Sequence, residues 1–292
     1  MIEPVLQLPS LCLVIISHER PKHLTSLISS LSNITNFALD GNFSIFCSDN
    51  SVKNIDRIAD ICKFYSIPCR QNPGVTQCEN FQFALEFTRD FTYFMMVHDD
   101  DLVFIDSVQL LLKSLKDEKI YFADCWNIQD SPSFVLRRHL TSLHEVNLPW
   151  ISLLFPYKLP FFPSIIYPAR AADIIGDINS NRNLRLLYGK YSDAYLLMKL
   201  SLFFDFDSFP QQNIKYFYRI HPSQDSAKIQ ICSRLNLYLF YVLNSNYSNL
   251  ISAFLHILKS FLFLLLYTIK PFANYIITVI VGYFAIGVGK KG

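Results

Sequence analysis

The stretch Tyr93-Phe94-Met95-Met96-Val97-His98-Asp99-Asp100-Asp101-Leu102-Val103 runs from apolar side chains straight into three consecutive carboxylates. Its apolar part, with aromatic and β-branched members, reads as a buried strand. Adjacent like charges repel, so burying them requires a compensating cation or hydrogen-bond donors. Mg²⁺ and Mn²⁺ are oxygen-seeking ions that sit between one or two carboxylates and a substrate's phosphates. The carboxyl end of a strand is also where open α/β sheets place their ligands. One reading is therefore a metal–diphosphate site. The other is a turn leading into a helix, since Asp is favoured in turns and caps and Asp106-Ser107 opens a helical pattern.

The chain before this stretch alternates strands with helices. Leu11–Ile16 is a first buried strand, bounded by Pro9 and Pro21. Apolar positions from Leu24 through Ile28 to Leu31 fit a helix face. Phe43–Cys47 is a second strand with Ser48-Asp49-Asn50-Ser51 as its polar exit. A helix over about Ile55–Tyr65, a short strand Ile67–Arg70, a turn at Asn72-Pro73-Gly74 and a helix Thr76–Thr88 lead to the strand Thr92–Val97. This order is the pattern of a mostly parallel α/β sheet flanked by helices, with a Rossmann-like nucleotide-binding half. A helix Ser107–Lys116 and a strand Lys119–Ala123 continue it. Prolines then punctuate the chain, and the pattern supports a strand at Ser164–Tyr167, a loop at Gly176–Gly189, a helix from near Asp193 to Ser201 and a strand Lys215–Arg219.

Charge divides the chain in two. No Asp or Glu follows Asp225, whereas Lys228, Arg234, Lys259, Lys270, Lys290 and Lys291 do. The preceding body holds 20 Lys+Arg against 24 Asp+Glu, a net −4. An acidic body with a basic, apolar tail suggests a domain attached to an anionic membrane surface. It argues against nucleic-acid binding, which calls for a dense basic patch. Glycine is scarce, at eight residues, which disfavours a Gly-rich phosphate loop. The seven cysteines form no Cys-x-x-Cys and read mostly as small core residues. Glu3 stands where a signal peptide would be basic, so reduced thiols and a cytoplasmic setting are expected.

With these pieces placed, the sequence resembles the family 2 glycosyltransferases, enzymes with the nucleotide-diphospho-sugar transferase (GT-A) fold. Val14-Ile15-Ile16-Ser17-His18-Glu19-Arg20-Pro21 is similar to the family's first strand and its "TYNRP" exit, with Glu19 in place of the usual Asn. Ser48-Asp49-Asn50-Ser51 is similar to the "vDngS" segment, and Gly74-Val75-Thr76-Gln77-Cys78-Glu79-Asn80 to the "G...a.N" start of the third helix. His98-Asp99-Asp100-Asp101 looks like the DxD segment. Tyr191-Ser192-Asp193 stands where the family has "ED", with Ser192 replacing the Glu, and Tyr218–Ser226 is similar to the "yRiH..q.S" ending. The resemblance spans about Leu11 to Ala227, a GT-A-like domain over 1–227, and leaves 228–292 uncovered.

What the resemblance implies is an inverting, metal-dependent transfer of a sugar from a nucleotide-diphospho-sugar, a UDP-sugar for preference. Asp49 would accept a hydrogen bond from the base, and Ser17, Glu19, Arg70, Asp99, Asp100 and Arg219 would line the nucleotide. Asp99, Asp101 and His221 would hold Mn²⁺ or Mg²⁺, with Asp100 an alternative direct ligand. Asp193 would be the base that takes the acceptor's proton, and each of these residues also has a plain structural reading: turn, cap or solvated charge. Asn80 caps or braces its helix. Two other functions remain open: a sugar-phosphate nucleotidyltransferase, disfavoured because Ser17–Pro21 contains no Gly, and a non-catalytic nucleotide-sugar-binding or scaffold protein. The tail, 228–292, carries apolar segments at Leu250–Ile269 and Pro271–Gly289 separated by Pro271, and reads as a membrane-associated helical region at the cytoplasmic face of the cell membrane. That placement suits a saccharide or lipid-linked acceptor in surface polysaccharide or glycolipid synthesis.

Overall fold

The computed structural model of the chain describes residues 8–31, 41–116, 118–129, 137–139, 162–180, 192–208 and 214–220. The apolar run Leu11–Ser17 is strand β1, buried along its whole length. Alternate side chains serve the two faces of the sheet. Leu11, Leu13 and Ile15 join one core cluster with Leu24, Leu27 and Ile28 of helix α1 (Pro21–Ser30). Pro21 opens α1 at a position where a missing N–H costs nothing. Strand β2 (Phe43–Asp49), helix α2 (Ile55–Phe64) and the short strand β3 (Cys69–Gln71) follow. Ile58 and Cys62 are the fully buried positions of α2.

Helix α3 (Gln77–Glu86) starts with a complete capping box: Thr76 accepts from the Glu79 N–H, and the Glu79 carboxylate accepts from the Thr76 N–H. It leads to β4 (Tyr93–His98), which lies on the opposite side of β1 from β2. The winding therefore reverses between β4 and β1, the switch point at which open α/β sheets bind ligands. The remaining described elements are β5 (Leu102–Ile105), α4 (Val108–Ser114), β6 (Ile120–Phe122), β7 (Asp124–Gln129), β8 (Arg137–His139), a 3₁₀ turn at Phe162–Ser164, β9 (Ile165–Pro168), α5 (Ala171–Ser180), α6 (Ser192–Leu200), β10 (Phe206–Ser208) and β11 (Ile214–Ile220).

The strands form two sheets. The larger has the order β10-β6-β9-β4-β1-β2-β3, parallel except where β9 runs antiparallel to β4 and β6. The smaller has the order β5-β11-β7-β8, with β11 parallel to β7 and antiparallel to β5. The mostly parallel α/β sheet flanked by helices is the expected class.

Two local expectations are corrected and one further strand is found. The acids do not run from a turn into a helix, because β5 intervenes before Ser107 caps α4. Four residues are too few to show a period, so Leu102–Ile105 is hidden between the acids and the cap. Strand β7 is also new: its sequence, DCWNIQ, has no clean alternation. The loop expected from Gly176 is helical as far as Ser180. Gly176 sits where α3 and α5 meet; Gln82 Nε2 donates to its carbonyl at 2.6 Å, and an added Cβ would just touch Gln82 and Leu85. The glycine marks a helix crossing rather than a turn, and the space there does not itself demand a glycine.

Asn80 ties the strand exits together. Fully buried on α3, it accepts from the Ser48 hydroxyl at 2.7 Å and from Asn72 Nδ2 at 3.2 Å. Its own amide donates to the carbonyls of Ser48 (3.1 Å) and Ser17 (3.4 Å). One side chain thus braces the ends of β1 and β2 and the residue after β3. Truncating it leaves several buried polar groups unpaired. Asn80→Ala should cost about 1–3 kcal/mol in urea denaturation. A loss under about 0.5 kcal/mol, the range of a surface change, would show that the network is dispensable.

Candidate active site

Strand register sets the site. Ser17 pairs with Asp49, Asp49 pairs with Gln71, and Ile16 pairs with His98. Asp99 continues this row by donating its N–H to the Ile16 carbonyl at 3.1 Å. The carboxyl ends of β4, β1 and β2 therefore present Asp99, Ser17 and Asp49 side by side.

The three consecutive acids bridge the two sheets, since β4 belongs to the larger and β5 to the smaller. Asp99 accepts from the Ser17 hydroxyl (3.1 Å), the His18 N–H (2.8 Å) and Arg20 Nη1 (3.1 Å). Asp100 accepts from the same Arg20 Nη1 at 2.8 Å. Asp101 accepts from the Arg219 N–H at 2.9 Å and from the Tyr216 hydroxyl, both on β11. Arg219 also donates through Nε to the Asp100 carbonyl at 2.7 Å.

These donors do not offset the cost of burial. Asp99 and Asp101 are each 1% exposed. Burial, only partly opposed by the His18 N–H and Arg20, pushes Asp99 up to about 7. Burial and the neighbouring Asp100 charge push Asp101 up to about 8. Burial lowers His98, so it adds no positive charge near neutrality. Raised in this way, Asp99 and Asp101 are partly protonated at neutral pH, and a cation that displaced those protons would meet hard oxygen donors only. That combination suits Mg²⁺ or Mn²⁺.

Asp49 is the other buried acid of the row. Its Oδ1 accepts from the Ser51 hydroxyl (2.7 Å) and the Ser51 N–H (3.3 Å), as an Asx turn does. Its Oδ2 is buried and, among the described residues, meets no donor in hydrogen-bonding geometry: the nearby Ser17 hydroxyl, which slightly opposes the rise of the Asp49 pKa, donates to Asp99. Burial raises the Asp49 pKa. An unpaired buried carboxylate oxygen is costly unless a ligand supplies the donor.

Glu19 lies at the surface and turns toward the start of α2. Its φ of 57° is left-handed, a conformation that Asn adopts more readily than Glu. Four hydrogen bonds hold it there: the N–H groups of Val52 (2.7 Å), Lys53 (2.8 Å) and Asn54 (3.1 Å), and Asn54 Nδ2 (2.9 Å), all reach its carboxylate. These donors surround the start of α2, where a negative charge is favoured. The Lys53 and Val52 N–H groups lower its pKa to about 2.

Arg70 pairs with Glu86 and lies 4.2 Å from the Phe83 ring centroid, at the edge strand β3 rather than in the acid cluster. Asp193 is the second residue of α6, and its side chain lies outside the described set. His221 and the tail, 228–292, lie outside the described residues. Among the described residues no helix is long and apolar enough to cross a membrane. The sequence reading missed Arg20 and Tyr216 as partners of the acids. Arg20 was visible inside the first motif; Tyr216 is 115 positions from Asp101 and carries no local signal. A cavity of about 1200 Å³ opens at the other end of the sheet, near Ser10 and Tyr93, away from all of these groups.

Comparison with solved structures places the fold. Crystal structures of S. aureus TarS match the chain. Residues 1–349 in complex with UDP-GlcNAc give a TM-score of 0.57 at 12% identity, covering 82% of this chain and 68% of that one. The complex with UDP gives 0.56 at 11% identity, covering 82% and 67%. A longer TarS chain gives 0.56 at 13% identity, of which this chain spans 40%. No family model matches the chain, and no curated protein matches it in sequence. At such identities the likeness concerns the fold alone, a GT-A-like, mostly parallel α/β sheet flanked by helices.

The Glu19 anchor gives a pH-dependent test. A carboxyl whose pKa is depressed from 4.5 to about 2 on folding stabilises the fold above pH 4.5. That contribution is lost as pH falls toward 2. Glu19→Gln should therefore lower Tm at pH 7, and the gap to wild type should close as pH falls from 5 to about 2. A gap that stays constant over this range would mean that the charge is not what anchors the loop.

Proposed function

We propose that the protein is a glycosyltransferase that moves a sugar from a UDP-sugar to a hydroxyl of a saccharide or lipid-linked acceptor, with inversion at the anomeric carbon. The observation that carries this reading is the unpaired, buried Oδ2 of Asp49 at the β2 exit, one strand over from the switch point and in one row with Ser17 and Asp99. Uracil offers an N3–H to such an acceptor. Cytosine instead presents a lone pair at N3, which a carboxylate repels. The likeness to TarS, crystallised with UDP and with UDP-GlcNAc, agrees with a uridine donor.

In this reading Asp49 fixes the base. The acids at the β4 exit face the ribose and diphosphate, and Arg20 and Arg219 add positive charge beside them. Asp99 and Asp101, with His221, would hold Mn²⁺ or Mg²⁺, which supplies positive charge against the departing diphosphate. Asp193 accepts the acceptor hydroxyl's proton as its oxygen bonds to the anomeric carbon. The bond from that carbon to the diphosphate oxygen breaks, and UDP leaves. The basic, apolar tail would keep this site at the cytoplasmic face of a membrane, near a lipid-linked acceptor of surface polysaccharide or glycolipid synthesis.

Calorimetry with a panel of nucleotide sugars, with and without Mn²⁺, tests the donor. UDP-sugars should bind, CDP-sugars should not, and binding should weaken without the cation. Asp49→Asn should reduce UDP affinity about 10–100-fold, the worth of a charged hydrogen bond. Equal affinity for CDP and UDP would remove Asp49 from base recognition.

Turnover tests the base. Asp193→Asn keeps the shape of the side chain but cannot take a proton. Its rate should fall about 10²–10⁴-fold with donor affinity retained. A rate near wild type would leave Asp193 as a residue of the α6 first turn alone.

A further inference from the structure

Cys47, Cys62 and Cys69 are far apart in sequence but converge in space. Cys47 and Cys69 are direct cross-strand partners on β2 and β3, and Cys62 comes down on them from α2. Their Sγ atoms all lie within 4.8 Å of one another. Thiolates around a tetrahedral Zn²⁺ at the usual ~2.3 Å bond length lie about 3.8 Å apart. Small side-chain rotations would close the difference. Each of the three is a free cysteine.

We propose that Cys47, Cys62 and Cys69 form a binding site for one thiophilic d¹⁰ cation, Zn²⁺ or Cu⁺. Soft sulfur donors select such ions over Mg²⁺ or Mn²⁺, so the site is chemically separate from the acid cluster. Thiolate is the form that ligates metal, so binding displaces the thiol protons and forms metal–sulfur bonds in their place. Cys47 and Cys62 are buried, and Cys69 is half-buried at the edge strand. Access and any fourth ligand come from that side. Among the described residues no fourth Cys, His, Asp or Glu joins the group. The site is thus three-coordinate, as Cu⁺ accepts, or leaves one position of Zn²⁺ open.

The purified full chain, stripped of metal under reducing conditions, is titrated with Co²⁺ as a spectroscopic stand-in for Zn²⁺. The proposal predicts a near-ultraviolet thiolate-to-Co²⁺ charge-transfer band that saturates at one equivalent and is lost on adding Zn²⁺. Cys69→Ser should weaken it at least about tenfold, and Cys12→Ser, outside the cluster, should not change it. Cu⁺ titration against a chromophoric chelator then measures the affinity for the softer ion, and metal analysis of the protein as purified identifies the resident cation. In the unaltered protein, bound Zn²⁺ should slow alkylation of Cys69 as read by mass spectrometry, a measurement that needs no variant. Absence of the band, a band that survives Cys69→Ser, or a disulfide joining two of the three in place of metal would each overturn the proposal.

Discussion

Burying three successive carboxylates between two sheets is the constraint on which this structure turns. Asp99, Asp100 and Asp101 occupy the passage from β4 in the larger sheet to β5 in the smaller. Such a passage is stable only if both sheets supply donors. The β1 exit supplies the Ser17 hydroxyl, the His18 N–H and Arg20. Strand β11 supplies the Tyr216 hydroxyl and the Arg219 N–H. The acids thereby fix where β11 and β1 stand relative to β4, and the same contacts that join the sheets shape the crevice.

Compensation of this charge is incomplete, and that shortfall connects structure to chemistry. Asp99 and Asp101 sit near neutrality in their ionisation because burial outweighs their donors. Structural acids with complete hydrogen bonding would titrate low, as Glu19 does. The contrast separates two uses of a carboxylate in one region. Glu19 is fully engaged by N–H groups around α2 and serves the fold. Asp49, with one oxygen unpaired, and the acid cluster, with its raised pKa values, keep capacity for a ligand.

Much of this was legible in the sequence where one physical signal dominates. The strands β1, β2 and β4 are apolar runs with polar exits, and their exits carry Ser17, Asp49 and Asp99. Asn80, read as a cap or brace, proves to be the brace because buried amide geometry links it to Ser48, Asn72 and Ser17. What stayed hidden depends on distance along the chain. Tyr216 meets Asp101, and Cys69 meets Cys47 and Cys62, only after the sheets form. Gly176 misled for a different reason: a glycine at a helix crossing looks the same in sequence as a glycine in a loop. The strand Leu102–Ile105 was too short for its period to show.

A crystal structure of the protein grown with UDP and Mn²⁺ tests the central claim most directly. The account predicts the uracil ring over the exits of β1 and β2, with its N3 about 3 Å from Asp49 Oδ2, and the diphosphate at the β1–β4 switch point beside Asp99 and Asp101. A nucleotide bound elsewhere, or a uracil that leaves Asp49 Oδ2 unpaired, would contradict it.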